Sequence, residues 1–221
     1  IGAIIVMQSL LKFSPVGFAD RELFSATVLY IFIFALLTTA PFNSVLSRYL
    51  SDVIYDETYE DILPCYYIGM MMNVILSAGV GIPFCLREYF VGKVDAVYVV
   101  TGYSGYMALV LVFYSMLYLS ICKDYIRMSA FFTMGMVCTV LLSLLFCWRL
   151  HWSVTYSMLC ALAVGLWMIA VLSLSLLRSY FRENSGNYSK VLRYFRMYWQ
   201  LIVTNFIYTL GLYIHLSLIH I

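Results

Sequence analysis

Charge is what this sequence has least of. Among 221 residues only 13 are Lys or Arg and 11 are Asp or Glu, and the net charge is +2. A soluble domain carries about 25% charged residues to coat its surface; here the share is 11%, against 64% hydrophobic residues. A water-solvated globule is therefore excluded. Nor does so small and scattered a charge make a nucleic-acid footprint, and no nucleic-acid partner is expected. Cys65, Cys85, Cys122, Cys138, Cys147 and Cys160 lie mostly in apolar runs without CxxC spacing. They read as small buried hydrophobes, with no metal site and no cofactor. No nucleophile, carboxylate pair or metal cluster is placed where water could reach it, which argues against an enzyme. Gly79-Val80-Gly81 has no strand before it and is no nucleotide fingerprint.

What is present is length without charge. A membrane-spanning helix needs about 20 mostly apolar residues. By that rule the chain holds one partial helix ending near Leu11 and five complete ones, roughly 23–50, 64–86, 96–121, 128–148 and 153–177. A further helix begins near Met197. The expected fold class is therefore all-α integral membrane. The chain opens on Ile1, inside an apolar run, so the first helix is expected to lack its beginning. Pro41 interrupts the second span and calls for a kink facing protein or a cavity. Thr101, Gly102, Ser104 and Gly105 let the fourth span approach its neighbours closely. The fifth is the blandest, a run of Met, Leu and Phe.

Lys and Arg divide unequally between alternate connections. Arg48, Lys123, Arg127, Arg178, Arg182, Lys190, Arg193 and Arg196 stand on one side; Lys12, Arg21, Arg87, Lys93 and Arg149 stand on the other. Positive charge marks the cytoplasmic side, so the elbow at 48–61 and the segment 178–196 are expected to face the cytoplasm.

Two patches carry more information than hydropathy. The first holds Ala40-Pro41, then Ser47-Arg48-Tyr49-Leu50-Ser51-Asp52, Tyr59-Glu60 and Ile62-Leu63-Pro64; the second is Leu201–His215, LIVTNFIYTLGLYIH. Both resemble the Pel exopolysaccharide transporter family, PelG, of the multidrug/oligosaccharide/polysaccharide flippase superfamily. The resemblance implies a two-lobe MATE-like transporter of which this chain is an N-terminal or internal fragment. Residues 1–177 would be the first six-helix lobe with its first helix truncated. Residues 178–196 would be the cytoplasmic interlobe connection and 197–215 the seventh helix. Leu216–Ile221 resembles a translated sequencing adapter and is read as non-native. The resemblance further implies export of the Pel polysaccharide across the bacterial inner membrane for biofilm matrix formation. Implied partners are the polymer, membrane lipid, a glycosyltransferase and other Pel membrane subunits. Alternatives are a lipid-linked oligosaccharide flippase or MATE-type antiporter, and a scaffold that only anchors a glycosyltransferase. An antiporter needs an acid buried in a helix, and every acid here lies near a helix end.

The candidate site residues follow, each with two readings. Arg48 and Asp52 are four apart and can pair on one helix face, as a charged latch at the cytoplasmic mouth or as an ion pair that only fixes the helix end. Asp56, Glu57, Glu60 and Asp61 either attract a cationic polymer or a glycosyltransferase subunit, or are solvated acids favoured at a helix N-terminus. Asn43, Asn73, Gln200 and Asn205, with Tyr208 near Asn205, either line a path for sugars or bond between helices. Pro41, Gly79, Gly81 and Pro83 are hinge candidates; for the Gly79–Pro83 run the alternative is tight packing with a helix end. The 20 tyrosines either stack on sugar rings or form interfacial belts, Tyr49, Tyr55, Tyr66, Trp148, Trp152 and Tyr198 by position. Segment 178–196 is either a short amphipathic helix on the anionic inner leaflet or a charged loop.

Overall fold

Apolar length decides the architecture. In the computed structural model, which describes residues 2–11, 17–183 and 185–219 without the side chains of 3 and 214–219, the described residues form helices and no strands. These are α1 (Gly2–Leu10), α2 (Phe18–Tyr55), α3 (Ile62–Phe90), α4 (Ala96–Cys122), α5 (Tyr125–Arg149), α6 (Val154–Tyr180), α7 (Tyr188–Met197) and α8 (Trp199–Ile219). A short 3-10 turn, Tyr59–Asp61, enters α3. Five of them, α2 to α6, are long and apolar enough to cross a membrane. This is a multi-pass, all-α membrane protein. Lys12 and Pro15, placed in the first polar connection, lie outside the described residues, as do the side chains of the expected non-native tail.

Several helices outrun their expected bounds. The second starts at Phe18 rather than 23, because nothing after Gly17 breaks a helix and Asp20 suits the positive N-terminus. It has 38 residues, about 57 Å at 1.5 Å each, well beyond a ~30 Å hydrocarbon slab. Its last turns, with Arg48 and Asp52, must project past that slab. Pro41 is buried within it. The hydroxyls of Thr38 and Thr39 donate to the carbonyls of Phe34 (2.8 Å) and Ala35 (2.7 Å) in the turn before it, so both buried hydroxyls have a polar partner in an apolar setting. α3 does not end at Pro83; it continues to Phe90. Pro83 is exposed there, and Gly79 one turn back has open space around it.

α4 and α6 form the centre, each with 56% of its apolar window buried against 17% for α5. α2 and α3 run antiparallel beside α4; α5 covers the outside of α6, and α8 crosses α2. α5 is far from bland. Its fully buried residues are Gly135, Thr139 and Ser143, at four-residue spacing. Met134, Val137, Leu141 and Leu145 point outward and are exposed. In a bilayer the outside is as apolar as a core, so helices pair through small and hydroxyl side chains instead. The belt assignment fails for Tyr49 and Tyr66, which are 2% and 1% exposed; Tyr55 and Trp148 fit it. Of the cysteines only Cys65 is buried, and the other five are partly exposed.

Candidate functional site

The described acids and bases concentrate where α2 turns into α3, and there the expected Arg48–Asp52 pair does not form. Arg48 instead lies over the Tyr198 ring, 4.4 Å from its centroid. The Asp52 carboxylate accepts from the Tyr194 hydroxyl at 2.6 Å. Helical spacing permits the i,i+4 contact, but an exposed pair of that kind is worth only about 0.3–0.5 kcal/mol. A docked aromatic helix offers both side chains something better, a cation–π contact and a charge-assisted hydrogen bond.

That helix is α7, expected only as one reading of a charged segment. It turns Val191 and Phe195 inward, 1% and 4% exposed, and Phe195 meets Phe42 of α2 edge-on at 6.1 Å. Tyr194 packs edge-on against Tyr49 at 5.0 Å. Burial first, and then the Asp52 carboxylate, push the Tyr194 phenol upward in pKa, so it stays a donor through the physiological range. Its neighbour Lys190 reaches back to Asp61, Nζ to Oδ2 2.6 Å.

Asp61 stands apart from the other elbow acids. Its side chain is 6% exposed; besides Lys190 it accepts from Ser185 Oγ at 2.5 Å, and the Ser185 N–H donates to the Glu60 carbonyl. It therefore cannot serve as part of an open acidic patch. Asp56, Glu57 and Glu60 are exposed. Nearby, Asp124 caps α5 through the Arg127 N–H and accepts from Tyr180 at 2.6 Å. The Tyr180 bond holds its carboxyl below the usual carboxylate range. Together these contacts form one clamp, in which the segment after α6 is strapped across the α2–α3 elbow.

The amides lie deeper, on one level. Asn205 of α8 donates to the Ala40 carbonyl, next to Pro41. Gly69 is tucked against Leu46, and Tyr106 bridges Thr38 and the Ser77 carbonyl. That antiparallel register sets Asn73 level with Asn43. Asn73 is 1% exposed, and neither its Oδ1 nor its Nδ2 has a protein partner, nor does Asn43 Oδ1. Asn73 is thus a buried amide, and Asn43 and Asn205 beside it are partly exposed. Tyr208 is 65% exposed, and Gln200 is exposed as well. Asn205→Leu should weaken the α2–α8 crossing modestly, by about 0.5–1 kcal/mol, measurable as a small loss of the protein's thermal stability in detergent. A loss above about 2 kcal/mol would mean the amide does more than bridge two helices.

Among the hinge candidates, Gly81 is a packing residue. A Cβ there would stand 2.8 Å from the Tyr106 ring and 3.0 Å from Tyr103. Sequence reasoning missed a second network at the elbow end. Tyr66, Tyr114 and Tyr118 are fully buried, with Tyr114 donating to the Tyr66 carbonyl (2.9 Å) and Tyr118 to Cys65 Sγ. The four-residue spacing of Tyr114 and Tyr118 was the available signal.

The family described as "PelG: Putative exopolysaccharide Exporter (EPS-E)" matches residues 1–221. The chain belongs to the PelG family. Neither a curated protein nor a solved structure matches it. The two PelG-like patches prove to be one structural unit, since Asn205 of the second bonds Ala40 of the first. Polysaccharide export is thus the business of the family, and multi-pass membrane insertion is the setting in which this chain takes part in it.

Proposed function

We propose that this chain is the first lobe of an inner-membrane exporter that moves the Pel-type exopolysaccharide out of the cytoplasm into the biofilm matrix. The observation that carries the proposal is the PelG match along the whole of residues 1–221. The excess of Lys and Arg at the elbow end supports a cytoplasmic elbow. In this reading residues 178–196 join two lobes, and the clamp of Asp61, Asp52 and Arg48 on α7 sets how the second lobe meets the first. The exposed Asp56, Glu57 and Glu60 then face the cytoplasm, where a glycosyltransferase subunit delivers the chain.

Complementation tests this. In a Pel-producing bacterium lacking its own exporter, the full-length protein should restore secreted polymer, read by matrix staining and by loss of polymer retained in the cell. Tyr194→Phe combined with Arg48→Ala should lower secretion severalfold while the protein still inserts and assembles with its partners. Correct insertion and assembly without any secretion by the unmodified protein would overturn the export reading in favour of a scaffold.

A further inference from the structure

At the end of the bundle away from the elbow, α2, α3 and α4 enclose a crevice with about 130 Å³ of free volume. One wall is Tyr30 and Phe34 of α2 with Phe84 of α3, their ring centroids 4.9–5.9 Å apart. Across from it α4 supplies Tyr103 and Tyr106, 6.2 Å apart. The Tyr106 hydroxyl is held by the Ser77 carbonyl at 3.1 Å, so this ring is a fixed floor. Gly81 is what lets both α4 rings close on α3, since any side chain there would strike them. Glu88 lines the same crevice. Its ion-pair partner is the adjacent Arg87, whose side chain is 69% exposed, a contact that water readily replaces.

We propose that this crevice is a binding subsite for a single pyranose ring, gripped between the α2–α3 and α4 aromatic walls with a ring hydroxyl or amine on the Glu88 carboxylate. The free volume, a little under the ~150 Å³ that holds benzene, limits the occupant to one ring whose substituents project through the open side of the crevice. The electron-rich faces of aromatic rings suit the weakly positive C–H face of a pyranose. A carboxylate accepts from a sugar hydroxyl in a strong, charge-assisted hydrogen bond. A lipid tail would instead offer that carboxylate no hydrogen-bond donor in place of water. The same bundle shows what plain bilayer surface looks like: Met71 and Ile75 of α3 and Val171 of α6, exposed and apolar. The proposal deepens the export reading, on which it rests for the source of the ring.

The test is saturation-transfer NMR on the full chain in nanodiscs, with methyl glycosides of glucose and N-acetylglucosamine as probes. Saturation should reach the ring C–H protons. Tyr103→Ala should remove most of the signal, and Glu88→Gln should weaken binding about tenfold. Tyr103→Phe keeps the ring and should retain binding, which guards against a variant that only misfolds. Absence of transfer in the folded protein, or transfer unaltered by Tyr103→Ala and Glu88→Gln, would overturn the subsite. So would broadening of the crevice tyrosine resonances by a spin-labelled acyl chain, since that makes lipid the occupant. Glycoside binding without any export in cells sinks the export reading alone; export that persists without glycoside binding sinks the subsite alone.

Discussion

Lys190→Ala is expected to loosen α7 from the elbow by about 2–3 kcal/mol, and to do so more than Asp61→Ala does. The two partners are not equivalent. Lys190 is 53% exposed at its side chain and Asp61 6%. Removing the aspartate frees a lysine that turns to water at little cost. Removing the lysine strands a buried carboxylate on Ser185 alone, and an unpaired buried charge costs about 3–5 kcal/mol when fully enclosed. Partial exposure of the pair discounts that figure. Replacing both with uncharged residues, Asp61→Asn with Lys190→Met, should recover much of the loss, because no charge is then left without its partner. Limited proteolysis between residues 181 and 190 measures the effect. Cleavage should rise most in Lys190→Ala; equal cleavage in all three variants would show that Val191 and Phe195 alone hold the helix.

The second large effect belongs to the α5–α6 crossing. Gly165→Ala should cost about 3 kcal/mol or more, at the top of the range for overpacked sites. The added methyl would overlap Thr139 Oγ1 outright and stand 2.8 Å from the Gly135 carbonyl oxygen. The hydroxyl can be removed but the carbonyl cannot. Thr139→Ala should therefore rescue Gly165→Ala only in part, and Gly165→Leu should leave little folded protein even with that rescue. Thermal unfolding in detergent, with size-exclusion profiles, reads the series. Full rescue by Thr139→Ala would mean the backbones have room to part, and the tight crossing would not be what holds α5.

How much of this could be read from the residues differs by element. Runs of apolar residues locate α2 to α6 because spanning is a property of local length, independent of what the helix packs against. The ends were less legible: nothing local stops α2 before Tyr55, and α3 runs on through Pro83 to Phe90. α5 shows the limit most plainly. In water, large apolar residues mark the buried face, whereas in a bilayer they face lipid and the Gly135-Thr139-Ser143 stripe faces protein. Among the candidate site residues, Asn43 and Asn73 do share a level and Asn205 does approach Pro41, yet none of the three opens onto the crevice between α2, α3 and α4.

The sequence by itself determined that this is a multi-pass helical membrane protein, which segments cross, and, through two short patches, the PelG family. Each of these depends on composition or on residues close together in the chain. Only the tertiary structure decided which charges meet. Asp61 stands in sequence among exposed acids, and its partner Lys190 is 129 residues away. Arg48 and Asp52 are neighbours on one helix turn, yet each takes a tyrosine from α7 or the turn that follows it. An i,i+4 contact at a wet surface stabilises too little to prevail over a packed helix, and that helix reaches the elbow only because α6 ends beside it.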